Sequence, residues 1–226
     1  MEKLTEIQEF RAATVAAVGF NVKKAQEVCD FVLDGATHQP TMNINVQPSE
    51  EGLFYILNDK SVAPVSSIDL LDKKTIVGVA IKAMGRVASV ALHDAADGND
   101  VALIDEDKEC SETPGEYKKS FKEAMSDWDG EGNTKRLRTY LNPKIDLKDN
   151  EYIPSVAQMH LILLFINEIN KALVLAGGDE LQAGYHWSST EFSSYGAWYV
   201  YFGSGGTYYG SKCNGFTVRP SVACEL

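Results

Sequence analysis

Basic residues are the minority in this chain, 21 Lys and Arg against 32 Asp and Glu, leaving a net charge of −11. A protein that holds phosphate backbones needs clustered Lys and Arg, so nucleic acid is not an expected partner. Cysteine is sparse: Cys29, Cys110, Cys213 and Cys224 form no CxxC pair and are widely scattered. They read as reduced thiols rather than a disulfide framework, with a Cys213–Cys224 pairing left open. Long apolar runs are missing as well. The longest, Leu161 to Ile166, falls far short of the ~18 residues of a membrane span, so no membrane insertion is expected. The four histidines, His38, His93, His160 and His186, show no paired ligand spacing. "DAADGND" and "DWDGEGN" look acidic enough for calcium but fit no EF-hand spacing and read as turns and helix caps; neither metal nor cofactor is expected. The opening "MEKLTEIQEF" has Glu2, Glu6 and Glu9 and no apolar signal core, so export by the usual route is not expected.

What is present is enough apolar content, 44%, to bury a core and to exclude disorder. The first 36 residues read as a helical hairpin or kinked helix, with Leu4, Ile7, Phe10 and Val15 and then Ala25, Val28, Phe31 and Val32 at roughly helical spacing. Gln39 to Asp72 reads as short strands between turn signals, among them "LFYIL". The expected division is an N-terminal helical and short-strand module over 1–72, suited to oligomerisation or virion docking, and a compact α+β domain over 73–226.

In that domain "TIVGVAIKAMGRVASVAL" reads as a hairpin broken at Lys82 to Gly85, Glu116 to Met125 as a helix, and "GNT" at 132–134 as a cap for a short helix ending before Pro143. A core helix opens at Ser155, with Gln158 completing a capping box and Gly177-Gly178 as its stop. From Tyr185 onward "YHWSST", "AWYVYF" and "FTVRPSVA" read as strands.

The segment Tyr195 to Gly215, "YGAWYVYFGSGGTYYGSKCNG", is built of Tyr, Gly and Ser. At period two, Trp198, Val200 and Phe202 share one face of a strand, and Tyr199, Tyr201 and Gly203 share the other. A loop with Tyr208 and Tyr209 is expected to follow. Tyrosine gives large amphipathic contact area at small cost in rotamer freedom, and Ser and Gly give adaptable polar contact, as in antibody paratopes. A plain Tyr-rich edge strand is the competing reading.

Several elements in order, "VGVAIKAMGRVASVAL", "DWDGEGNT", "YIPSVAQMHLILL", "GGDELQAGYHWSSTEFSS", "AWYVYF" and "VRP" at Val218 to Pro220, resemble the C-type lectin-fold variable proteins of diversity-generating retroelements of gut Bacteroidetes and their phages. The resemblance covers most of residues 74 to 224. It implies a C-type lectin-like fold of the formylglycine-generating-enzyme-like subtype, and a face diversified by adenine-directed copying errors at AAY codons. By resemblance the variable, ligand-binding positions are Tyr195, Gly196, Tyr199, Tyr201, Gly203, Ser204, Gly206, Tyr208, Tyr209, Gly210, Ser211, Cys213, Asn214 and Gly215. Every one of these residue types is reachable from AAY. Glu191, Trp198 and Lys212 are not reachable, and they fall where fixed scaffold is expected.

The expected function is display of a hypervariable binding face toward a protein or glycan on a cell surface, as in phage host-receptor recognition. The expected assembly is a homo-oligomer, by resemblance a trimer. The expected location is a virion if the chain is phage-encoded, and otherwise a cell surface. Two other readings stand beside it: a structural virion or adhesion protein with a fixed surface, and a thiol-dependent enzyme using Cys213 or Cys224. No catalytic residue is assigned, because Cys213 has no His base beside it and Ser188 with His186 has no evident third partner. Tyr195, Tyr199, Tyr201, Tyr208 and Tyr209 are the expected anchors, with little expected contribution to stability.

Overall fold

The computed structural model describes residues 51–105 and 116–226. The helical reading of the first 36 residues, and most of the expected N-terminal module with it, lies outside the described residues.

Short, nearly continuous apolar runs form the first sheet, whose central strands are buried on both faces. Strands β1 (Gly52–Leu57), β2 (Val62–Pro64), β3 (Ile76–Ala83) and β4 (Arg86–Ala91) pair antiparallel in the order β2-β1-β3-β4. The expected hairpin is present, with Met84 and Gly85 at positive φ in its turn. The expected boundary at 72/73 is corrected here. β1, drawn from "LFYIL", is hydrogen-bonded along its length to β3, and Tyr55 and Val79 belong to one buried cluster with Met159 and Leu173. Residues 52–72 therefore belong to the domain that follows them. Local turn signals marked the segment as separate; only strand pairing across about 25 residues joins it.

The helices are shorter than their sequence patterns suggest. α1 (Phe121–Ala124) is four residues long, with Ser120 and Glu123 closing a capping box. α2 (Gly130–Leu137) starts earlier than expected, because Asp129, rather than a residue of "GNT", accepts the bond from the Gly132 N–H. α3 (Val156–Leu164) opens at Ser155 with Gln158, as its sequence signature requires. It does not run to Gly177. The helix breaks at Phe165 and resumes as α4 (Ile166–Ala176), bent by 85°. The apolar residues of the pair spread over most of the circumference because the two halves bury different faces: α4 buries Ile169, Ala172, Leu173 and Ala176, at i, i+3, i+4 and i+7. Gly177 ends it in the left-handed region, as expected. Among the described residues no single helix is long and apolar enough to cross a membrane.

A second sheet, β6 (Tyr185–Glu191), β7 (Gly196–Tyr201) and β8 (Gly206–Ser211), is antiparallel in that order. A short pair, β5 (Glu151–Tyr152) with β9 (Ser221–Val222), closes the fold beside β4. The architecture is α+β with antiparallel sheets, the bent helix pair packing on both. "FTVRPSVA" supplies only the two-residue β9 as a strand. Arg219 explains the rest of that stretch. It is 2% exposed; its Nε donates to Asp94 Oδ1 at 2.6 Å, and its other nitrogens donate to the carbonyls of Ala91, Leu92, Asp179 and Glu180. One fork thus ties the end of β4 to the loop after α4.

Candidate binding face

The second sheet carries the tyrosines. Its backbone pairs Trp187, Tyr199 and Tyr208 in one row and Tyr185, Tyr201 and Gly206 in the next. Since strand side chains alternate, these six fall on one face and His186, Trp198, Val200 and Tyr209 on the other. The expected split of β7 holds: Trp198, Val200 and Phe202 are buried, while Tyr199 and Tyr201 are half-buried.

On the first face the rings form a connected cluster. Tyr185 meets Tyr201 at 4.9 Å, Tyr199 at 5.5 Å and Tyr208 at 6.2 Å between ring centroids, and Tyr199 stacks on Tyr208 at 5.8 Å. Phe216 and Trp187 close the inner end against Tyr199. The glycines make room for this. A Cβ on Gly203 would sit 2.7 Å from the Tyr201 ring, one on Gly206 2.8 Å from the Tyr208 hydroxyl, and one on Gly210 3.2 Å from the Tyr199 ring. Each ring therefore lies across a residue that has no side chain. The result is a preordered aromatic surface, with cross-strand aromatic pairs stabilising the sheet that bears it.

Tyr185 is a member that sequence reasoning left out. It is 44% exposed and touches four rings of the cluster. Its two-residue spacing from Trp187 was visible in the sequence, but its pairing with Tyr201 was not.

The other candidate residues divide. Tyr195 is exposed in the turn between β6 and β7. Gly203, Ser204, Ser211, Cys213, Asn214 and Gly215 are exposed, and Gly206 and Gly210 are partly covered. Gly196 is buried, with Gly210 O and Ser193 Oγ at 3.2 and 3.3 Å from where a Cβ would stand, so it displays nothing. Tyr209 lies on the opposite face from Tyr208, stacked flat on Phe192 at 3.8 Å with Trp198 at 5.3 Å. The expected loop around Tyr208 and Tyr209 is strand β8, which overturns the loop reading. Gly and Ser have low strand propensity, and only pairing with β7 holds them extended.

Beneath the face, "WSSTE" is scaffold throughout. Trp187 Nε1 donates to Val101 O at 3.0 Å, Ser188 Oγ to Trp198 O at 2.7 Å, and Thr190 Oγ1 to Asp127 Oδ2 at 2.7 Å. Asp127 also accepts from Asn133 Nδ2 and Asp129 N. The acidic "DWDGEGN" thus joins α2 to β6 and caps a helix. Glu191 pairs with Lys212, both almost fully buried, and Lys212 Nζ also donates to Ser194 O at 3.0 Å.

Ser188 and His186 are each engaged elsewhere and not with one another. Ser188 Oγ bonds a carbonyl, and His186 stacks on Phe202 with its Nε2 donating to Gln182 O at 3.1 Å. Cys213 and Cys224 are not joined to each other. Burial pushes the Cys224 thiol up to about 11, away from a reactive thiolate. Among the described residues no three His, Cys, Asp or Glu converge as a metal site. A separate open cleft of about 480 Å³ is lined by Arg86, Trp128 and Arg136 among others, and by none of the candidate residues.

Two histidines bear on this sheet, His186 within β6 and His160 beside β8. His160 Nε2 lies 2.7 Å from Thr207 Oγ1, and His186 is 1% exposed. Burial lowers both imidazole pKa values, since a proton would charge a desolvated ring. The unfolded chain accepts protons that the folded one resists, so this part of the stability is lost as pH falls below about 6.5. The carboxylates held low, Asp59, Glu123 and Asp179, are exposed and begin to matter only below about pH 4.5. The melting temperature is therefore expected to fall between pH 7 and pH 5, and to fall less in a His160→Gln, His186→Gln variant. An equal fall in that variant would remove the histidines as its cause.

Comparison of the chain with protein-family models, with characterised proteins and with solved structures gave no match in any of the three.

Proposed function

We propose that this chain is a binding protein whose tyrosine face contacts a protein or glycan target on a cell surface. In this reading the domain has a C-type lectin-like fold, and its face is varied by a diversity-generating retroelement. On a phage the protein would stand on the virion and recognise a host receptor. The observation that carries the reading is how burial divides the segment. The residues that AAY codons cannot produce, Glu191, Trp198 and Lys212, are 5%, 4% and 0% exposed. Most of those that AAY codons can produce lie at the surface of a tyrosine-rich sheet. A diversified binder needs that division, because variation is tolerated where side chains are exposed and destabilising where they are packed.

The test is in the encoding DNA. Within a few kilobases, a near-identical repeat of the codons for Tyr185 to Leu226 is expected, differing chiefly at adenines and lying next to a reverse transcriptase gene. Differences should fall on the codons for Tyr199, Tyr201, Tyr208 and Tyr209 and spare those for Trp187, Glu191 and Lys212. The absence of such a repeat would remove diversification from the reading and leave a fixed tyrosine surface.

A further inference from the structure

We infer that β8 is a docking edge which takes an extended segment of a target polypeptide as a fourth strand of the β6-β7-β8 sheet. This rests on the binding reading above and narrows its partner from protein or glycan to a protein strand.

The phase of hydrogen bonding comes first. Phe202 N donates to Gly184 O at 2.9 Å, which makes Tyr185 and Tyr201 a pair that do not bond one another, so the backbone groups of Tyr201 turn toward β8. Alternation then directs Gly206, Tyr208 and Gly210 inward to Tyr201, Tyr199 and Ala197. The Lys212 N–H, bonded to Tyr195 O at 2.9 Å, continues the same phase. Thr207 and Tyr209 accordingly aim their N–H and C=O groups away from the sheet, and among the described residues those four groups have no hydrogen-bond partner.

The remaining sheet edges are handled differently. β2 is three residues long and ends in Pro64. β4 is covered by the C-terminal segment, with Ala91 N donating to Pro220 O and Ser89 bonded to Val222. β6 is covered by Thr217 and Pro154, which accept from Trp187 N and Ser189 N. Proteins blunt exposed edges with charge, proline, bulges or brevity. β8 is six residues long and has none of these: Gly206, Thr207, Tyr208, Tyr209, Gly210 and Ser211 carry no charge and no proline, and its register with β7 is unbroken.

An unguarded edge selects its occupant by chemistry. Alternating donors and acceptors at strand spacing match another backbone in the extended conformation. The aromatic pads, Tyr208 on one face and Tyr209 on the other, supply contact for its side chains. The occupant is a foreign segment of neutral or basic character, because a chain with a net charge of −11 attracts such a strand in preference to another acidic one.

The test uses the full chain and 12-residue peptides selected on it from a random library. Selected peptides should be rich in alternating β-branched residues. On binding, the Thr207 and Tyr209 amides should gain at least about tenfold in hydrogen-exchange protection. Thr207→Pro deletes one outward donor without touching a bond to β7, and should weaken the peptides about fivefold to tenfold, while Thr207→Ala should leave them bound. Peptides that depend on Tyr185, Tyr201 and Tyr208 yet bind Thr207→Pro at full strength, with no added amide protection, would overturn strand addition and leave the binding face standing. Selection of glycans alone on an array, with the same tyrosine dependence, would do likewise. Protection that rises with protein concentration alone would identify a second copy as the occupant and overturn the inference.

Discussion

Lys212→Ala is expected to destabilise the fold by about 3–5 kcal/mol, measured by urea denaturation at pH 7. Lys212 is fully buried, and its ammonium meets the Glu191 carboxylate and the Ser194 carbonyl. Removing the cation leaves Glu191, 5% exposed, as a desolvated anion without its main counter-charge. The backbone bonds at this position are kept by alanine, so the loss falls on the side chain. The Lys212 N–H holds Tyr195 O and its carbonyl accepts from Leu103 N, so the turn at 192–195, the end of β8 and the 101–104 segment meet at this residue. Replacing both partners with apolar residues, Lys212→Met with Glu191→Leu, should recover most of the loss, because the high cost lies in orphaning a charge rather than in losing the attraction. A loss below about 1 kcal/mol in the single variant would mean that water reaches the pair.

The second large effect is on binding. A Tyr185→Ala, Tyr201→Ala, Tyr208→Ala variant should lose at least about 100-fold in affinity for peptide or glycan array probes that the wild-type chain retains, since aromatic anchors dominate interface energy. Its melting temperature should fall by only about 5–10 °C, because Tyr185 and Tyr208 are 44% and 49% exposed and the loss is confined to the half-buried Tyr201 and the cross-strand ring contacts. Tyr199 and Tyr209 are deliberately left out of that variant. Tyr199 packs on Trp187 and Phe216, and burial first, then the neighbouring phenols of Tyr185 and Tyr208, hold its pKa above the ordinary value. Tyr199→Ala should therefore cost about 1–3 kcal/mol of stability as well. Replacing all five tyrosines named from the sequence would mix the two effects. If the triple variant binds as well as wild type, the tyrosine face is not the contact surface.

Period and capping made much of the fold readable. Ser155 with Gln158, the Gly177 stop, the hairpin at Met84-Gly85 and the two faces of β7 all depend on residues within a few positions of each other. The burial of Trp198, Val200 and Phe202 was legible in the same way, from period two along the strand. The Phe165 break was hidden, because a wide apolar stripe looks the same for one buried helix and for two halves bent by 85°. The placement of residues 52–72 and the strand state of β8 were hidden for another reason: both are decided by pairing with distant strands.

Composition by itself determined that a stretch rich in Tyr, Gly and Ser sits among residues of a different kind. Only the tertiary structure decided which tyrosines share a face. A one-residue step along a strand turns a side chain to the opposite side, so Tyr208 joins Tyr185 and Tyr201 while its neighbour Tyr209 stacks on Phe192. Register is set by contacts far apart in the chain, and no local pattern in "GTYYGS" encodes it.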